Sequence, residues 1–193
     1  MNIKKLPDGY SEIKNIDLEK DKKLAIKVNV GAVLIYIPLL IIGAIIVPIS
    51  DLLNNNLNNI KMVLFKLLLM IILLFTYIVL HEAVHGIFMK YYGKIKPKFG
   101  LTKLYAYAAS DAYFNKKEYT IISFSPIVIL GAILFLITIL VPKDWFWVFY
   151  YVFVSNIASS TGDLYVAHII RQMPKDSLFL DVGVSMTMYS KNE

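Results

Sequence analysis

Four long apolar runs decide what this chain can fold into. A bilayer core about 30 Å thick is crossed by about 20 residues of helix. Residues 28–49, 60–89, 119–141 and 145–170 each reach that length. The rest cannot cover them as a soluble domain would: the chain is 58% hydrophobic and 18% charged, with a mean hydropathy of +0.61. Soluble monomers rarely expose contiguous apolar patches beyond a few hundred Å². The expected fold class is therefore an all-α polytopic membrane protein with four transmembrane helices, forming a single domain over residues 1–193.

The charges orient these spans. Seventeen of the twenty Lys and Arg residues fall in three segments: the tail before residue 28, the connection 90–118, and the tail after 170. In a four-span topology those segments share one side, and positive loops stay inside. Both termini, 1–27 and 171–193, are expected in the cytoplasm of a multi-pass cell-membrane protein, and the +6 net charge reads as topology rather than nucleic-acid binding. The richness in Ile, Lys and Asn suggests an AT-rich bacterial source, and no cleavable leader is expected. On the other side, the Asn-rich stretch 51–59 reads as a turn and 142–144 as a tight hairpin, with Trp145 and Trp147 as interfacial anchors. Tyr105, Tyr107 and Tyr113 keep even spacing, as do Val182, Val184, Met186 and Met188. This predicts a small β element at the cytoplasmic surface, with the two stretches paired. Asp111 and Glu118 are expected as solvated loop charges.

The chemistry concentrates at the end of the second run, where residues 81–85 read His-Glu-Ala-Val-His. His81 and His85 are i and i+4 and share one helix face. Two imidazoles so placed can hold one zinc ion, and Glu82 can reach a water bound to it. Zinc acidifies such a water and polarises a carbonyl, while a carboxylate takes the proton and returns it to the leaving amine. With no cysteine in the chain, any metal must be held by His and carboxylate. Ionisable residues inside a membrane segment are costly and by default functional.

A third ligand is expected in the fourth run. Asn156, Ser159, Ser160 and Asp163 stand at i, i+3, i+4 and i+7, one face of a continuous helix. His81 lies 21 residues from Ile60 and Asp163 lies 18 from Trp145. At 1.5 Å per residue, those depths differ by about 4–5 Å. Asp163 is the favoured ligand, and His168, beside Arg171, is its rival or an interfacial histidine. Ser155, Ser159 and Ser160 suit helix packing. Asn156 could bind the substrate backbone or a developing oxyanion.

The intramembrane His-Glu-x-x-His followed two spans later by Asn and Asp resembles the site-2 class of intramembrane zinc proteases. More closely, residues 20–190 resemble a small bacterial zincin peptidase family with the His-Glu motif in one helix and Gly-Asp in a later one. The resemblance implies His81, His85 and Asp163 as Zn²⁺ ligands and Glu82 as catalytic base. The chain departs from the site-2 pattern in having no Pro between Asn156 and Asp163, and in placing Gly162 before the Asp. The expected function is a zinc-dependent intramembrane endopeptidase that cleaves a membrane-protein or peptide substrate near the cytoplasmic leaflet. Strand addition to segment 97–114 would hold the substrate. The alternatives are a non-catalytic membrane protein, an immunity or regulatory partner with a structural or degenerate metal site, and an ion-handling bundle. The one-sided depth of the polar groups disfavours the bundle.

Overall fold

The computed structural model describes residues 3–53, 60–103 and 105–192. Asn54, Asn55, Asn56, Asn58 and Asn59, the heart of the expected Asn-rich turn, lie outside these residues. The helices are α1 (Lys22–Ile46), α2 (Ile60–Gly93), α3 (Lys116–Leu140), α4 (Phe146–Ser159) and α5 (Thr161–Gln172). The strands are β1 (Tyr10–Asp17), β2 (Lys98–Leu101), β3 (Ala106–Ala109), β4 (Tyr113–Asn115), β5 (Leu178–Asp181) and β6 (Ser185–Lys191). The chain is thus mostly helical, with a minor β component.

Three helices, α1, α2 and α3, are long and apolar enough to cross a membrane. Most of the exposed large hydrophobic side chains lie on them, among them Leu34, Ile45, Phe75, Val79 and Leu140. The fourth run departs from the expectation of one continuous span. It is divided into α4 and α5, of 14 and 12 residues. At the division the Ser160 hydroxyl donates to the Asn156 carbonyl (2.7 Å) and Thr161 Oγ1 to the Ala158 carbonyl (2.7 Å). Such side-chain bonds give the backbone an alternative to its helical ladder. The single helix face drawn from Asn156 through Asp163 is therefore interrupted.

By its internal contacts the chain divides into two compact units. The first comprises residues 1–28, 80–126 and 162–193. Its antiparallel sheet has the order β1-β6-β5-β4. The expected pairing is met in part: Tyr113 lies on β4, which pairs with β5 so that Phe114 faces Phe179, whereas Tyr107 lies on β3 and Val182 and Val184 fall in the connection between β5 and β6. On β6, Met186 and Met188 are buried while the residues between are not. Their face packs with Phe114, Phe179, Met89, Tyr119 and Ile170 in one core, and the Tyr119 and Phe179 rings stack at 5.6 Å. β2 and β3 form a separate hairpin. Glu118 corrects the expectation of a loop charge: it is buried, its Oε2 accepts from the Asn115 N–H (3.0 Å), and Asn115 Oδ1 accepts from the Glu118 N–H (2.9 Å). This reciprocal capping box starts α3. Asp111 remains exposed and pairs with Lys98 at 2.7 Å.

The second unit comprises residues 29–79 and 127–161. Its core gathers Val47, Phe146, Trp147, Tyr150 and Val154. Trp147 corrects the expectation of an interfacial anchor. It is buried, and its indole N–H donates to the carbonyls of Val47 (3.1 Å) and Pro48 (3.3 Å). Gly43 lies beneath the Tyr150 ring, where a Cβ would collide with it.

Candidate metal centre

The first unit brings His81, His85 and Asp163 together. One ligand atom from each lies within 4.8 Å of the others. His81 Nε2 is 3.2 Å from Asp163 Oδ2, and His85 Nε2 is 3.4 Å from Asp163 Oδ1. The two histidines are stacked by one turn of α2, as their spacing requires. Asp163 reaches them from the first turn of α5, where a carboxylate also favours the helix dipole.

The two His–Asp separations fit a metal. Tetrahedral zinc with bonds of about 2.0–2.1 Å holds its ligand atoms about 3.3 Å apart. Two imidazole nitrogens and one carboxylate oxygen are a donor set that zinc accepts. His81 and His85 are buried, whereas the Asp163 side chain keeps 26% of its surface exposed, which leaves an approach for water or a peptide.

The orientation of His85 can be traced to a proline. Pro126 has no N–H, so the helical bond from residue 126 to the carbonyl of Ile122 cannot form. That freed carbonyl accepts from His85 Nδ1 at 2.9 Å and from the Ser125 hydroxyl at 2.8 Å. Donation from Nδ1 fixes the tautomer with a lone pair on Nε2, the nitrogen facing Asp163. Gly86 follows His85. Any Cβ there would strike the Phe99 ring, so its absence lets β2 lie close to the motif.

Glu82 stands between the histidines. Its carboxylate lies within electrostatic reach of His81, His85 and Asp163 and near the Ala108 backbone of β3. Sequence reasoning missed Ala108, Tyr119 and Asp181. The buried Asp181 carboxylate accepts from the Tyr119 hydroxyl and, through Oδ1, from the Gly183 N–H at 2.8 Å. It lies within electrostatic reach of His85 and Glu82, and burial pushes its pKa up to about 6.

The other expected residues sit elsewhere. His168 Nε2 faces Gln172 Nε2 at 2.9 Å on α5 and takes no part in the cluster. Asn156, in the second unit, is fully buried and donates to the Ile127 carbonyl at 3.3 Å. Its Oδ1 is buried without a hydrogen-bond partner among the described residues. Ser155 bonds back to the Tyr151 carbonyl of its own helix (2.8 Å), whereas Ser159 meets the Tyr77 hydroxyl of α2 at 2.5 Å, the contact between helices expected of it.

A mostly helical chain with membrane-length apolar helices and a two-histidine, one-carboxylate cluster on a His-Glu-x-x-His helix defines a class of candidate membrane metalloproteins. Comparison makes this specific: the family model described as "Putative zincin peptidase" matches residues 73–178, which hold every residue of the cluster. The chain belongs to that family. Membership suggests a metallopeptidase and implies zinc as the cofactor. No curated protein and no solved structure matches the chain.

Proposed function

We propose that this protein is a zinc-dependent intramembrane endopeptidase. The observation that carries the reading is the convergence of His81, His85 and Asp163 with Glu82 beside them. His81, His85 and Asp163 would hold the zinc. When bound, the metal supplies a Lewis acid that polarises a peptide carbonyl and makes water acidic. Glu82 accepts the proton of the attacking water and delivers it to the leaving amine. The Ala108 backbone lies near the Glu82 carboxylate, and the Ile122 carbonyl steadies His85 in a fixed position.

The substrate is a membrane protein or peptide entering as an extended strand. β3 supports this, because among the described residues it pairs only with β2 and its Ala108 backbone lies near Glu82. A strand added along that edge would bring its carbonyls past the catalytic carboxylate. α1, α2 and α3 cross the bilayer in this reading, and the fourth apolar run, residues 145–170, supplies a fourth crossing. Both termini then face the cytoplasm of a bacterial cell, a placement the Lys and Arg distribution supports, and the cut falls near the inner leaflet.

The test is proteolysis in liposomes, with a library of single-span substrates and the variant Glu82→Gln. Wild type should cut, and the variant should lose roughly a hundred- to ten-thousand-fold in rate while keeping its zinc. Undiminished cleavage by Glu82→Gln would remove the carboxylate from the mechanism.

A further inference from the structure

His168, left out of the metal cluster, opens onto a groove between α3 and α5 with a volume of about 400 Å³. Lys116, Thr120 and Phe124 line it from α3, and Leu164, His168 and Arg171 from α5. Each trio follows one stripe of its helix, at i, i+4, i+8 and i, i+4, i+7. The two stripes are graded in the same sense. Lys116 and Arg171 stand at one end, Thr120 and His168 in the middle, and Phe124 and Leu164 at the other.

The charged end is fixed in place. Lys116 Nζ donates to the carbonyls of Arg171 (3.0 Å) and Met173 (2.6 Å), which ties the start of α3 to the end of α5. The Thr120 hydroxyl is committed to the Lys116 carbonyl at 2.7 Å. The Arg171 guanidinium is exposed and makes no hydrogen bond or ion pair among the described residues. None of the residues lining the groove is acidic. α3 begins Lys-Lys-Glu at residues 116–118 and is mainly apolar beyond Tyr119, so the cationic end of the groove falls where hydrocarbon gives way to water.

A groove that runs from cations to apolar side chains across that boundary matches one molecule in a bilayer. We propose that it binds an anionic phospholipid, with the phosphate on Arg171 and His168 and an acyl chain along Phe124 and Leu164. A guanidinium presents paired donors to phosphate oxygens, and basic pockets beside membrane helices suit lipid head groups. This goes beyond peptidase activity and does not depend on it. An occupied groove would brace α5, which carries Asp163, against α3, which carries the Ile122 carbonyl.

The test uses delipidated full-length protein in detergent. Its melting temperature is followed while dioleoyl phosphatidylglycerol, dioleoyl phosphatidylcholine or glycerol 3-phosphate is added, for wild type, the double variant His168→Gln/Arg171→Gln, and Lys14→Gln on β1 as a distant charge control. Ligand binding to the folded state raises the melting temperature. Phosphatidylglycerol should raise it by several degrees more than phosphatidylcholine in wild type and Lys14→Gln, and that preference should vanish in the double variant. Native mass spectrometry should find phosphatidylglycerol retained in the same two proteins and lost from the double variant. Equal effects of the two lipids, or a preference intact in the double variant, would overturn the proposal. A shift produced by glycerol 3-phosphate alone would overturn it in favour of a soluble phosphate ligand.

Discussion

Two places in this molecule put ionisable groups into apolar helix, and they handle the cost in opposite ways. Lys66, on α2 in the second unit, is 1% exposed. Its ammonium donates to the Asp144 carbonyl at 2.6 Å, lies 3.4 Å from the Asp144 carboxylate and sits 5.2 Å from the centre of the Trp145 ring. Those partners account for its charge. The cluster of His81, His85 and Asp163, in the first unit, is different. One carboxylate divides its two oxygens between two imidazoles and stays partly exposed. Its donors converge on a point that a cation can fill. Burial alone does not mark a functional site, but convergent lone pairs with an open approach do.

That contrast can be broken at several points. The largest effect falls on Glu82→Gln, whose loss of cleavage separates chemistry from metal retention.

Next is the buried carboxyl beside the site. Asp181 has a pKa near 6 in the folded protein against an ordinary 3.8. The folded state therefore holds the proton more tightly than the unfolded state. Stability from this group is greatest below pH 3.8 and is lost as pH rises to about 6. At about 1.4 kcal/mol per pKa unit the loss is about 3 kcal/mol. Asp181→Asn keeps an oxygen for the Gly183 N–H and an amide for the Tyr119 hydroxyl. Melting curves from pH 4 to 6.5 should fall less steeply for Asp181→Asn than for wild type, and parallel curves would show that Asp181 is not the group responsible.

Pro126→Ala returns an N–H to α3, which should compete for the Ile122 carbonyl and loosen His85. Outer partners of metal-bound histidines typically contribute 10–100-fold in affinity. Competition against a zinc chelator should show a weakening in that range, and an unchanged affinity would make Pro126 a helix feature only. The smallest effect belongs to Lys66→Met. Replacing a buried charge with an apolar chain of similar size often costs little, and zinc content should not change. A loss of zinc would mean that the two polar regions are not independent.

The histidine pair was legible in the sequence because i, i+4 spacing is local and a helix of this apolarity is unambiguous. Asp163 was legible as an acid in an apolar run, although the argument that placed it assumed an unbroken helix. The division at Ser160 and Thr161 arises from hydroxyls bonding to nearby carbonyls, and Ser and Thr also occur in continuous membrane helices. β1 was hidden in a polar tail for a specific reason. Its two isoleucines are three residues apart, so Ile13 is exposed and Ile16 buried, and a bulge between Glu12 and Lys14 further shifts the register. The partnership of Pro126, Ile122 and His85 spans 37 residues between α2 and α3, and no local pattern reports it. Trp147 and Glu118 were misjudged because composition places such residues at interfaces and loops, while the Val47 carbonyl and the Asn115 N–H gave them buried partners.

The most direct test of the account is the zinc content of detergent-purified protein, measured for wild type, His85→Ala, Asp163→Ala and His168→Ala. The account predicts about one zinc per chain in wild type, its loss in the His85 and Asp163 variants, and its retention in the His168 variant. No zinc in wild type, or the same zinc in all four proteins, would contradict the metal centre and favour a non-catalytic membrane protein in which Asp163 and the two histidines form only an ion pair.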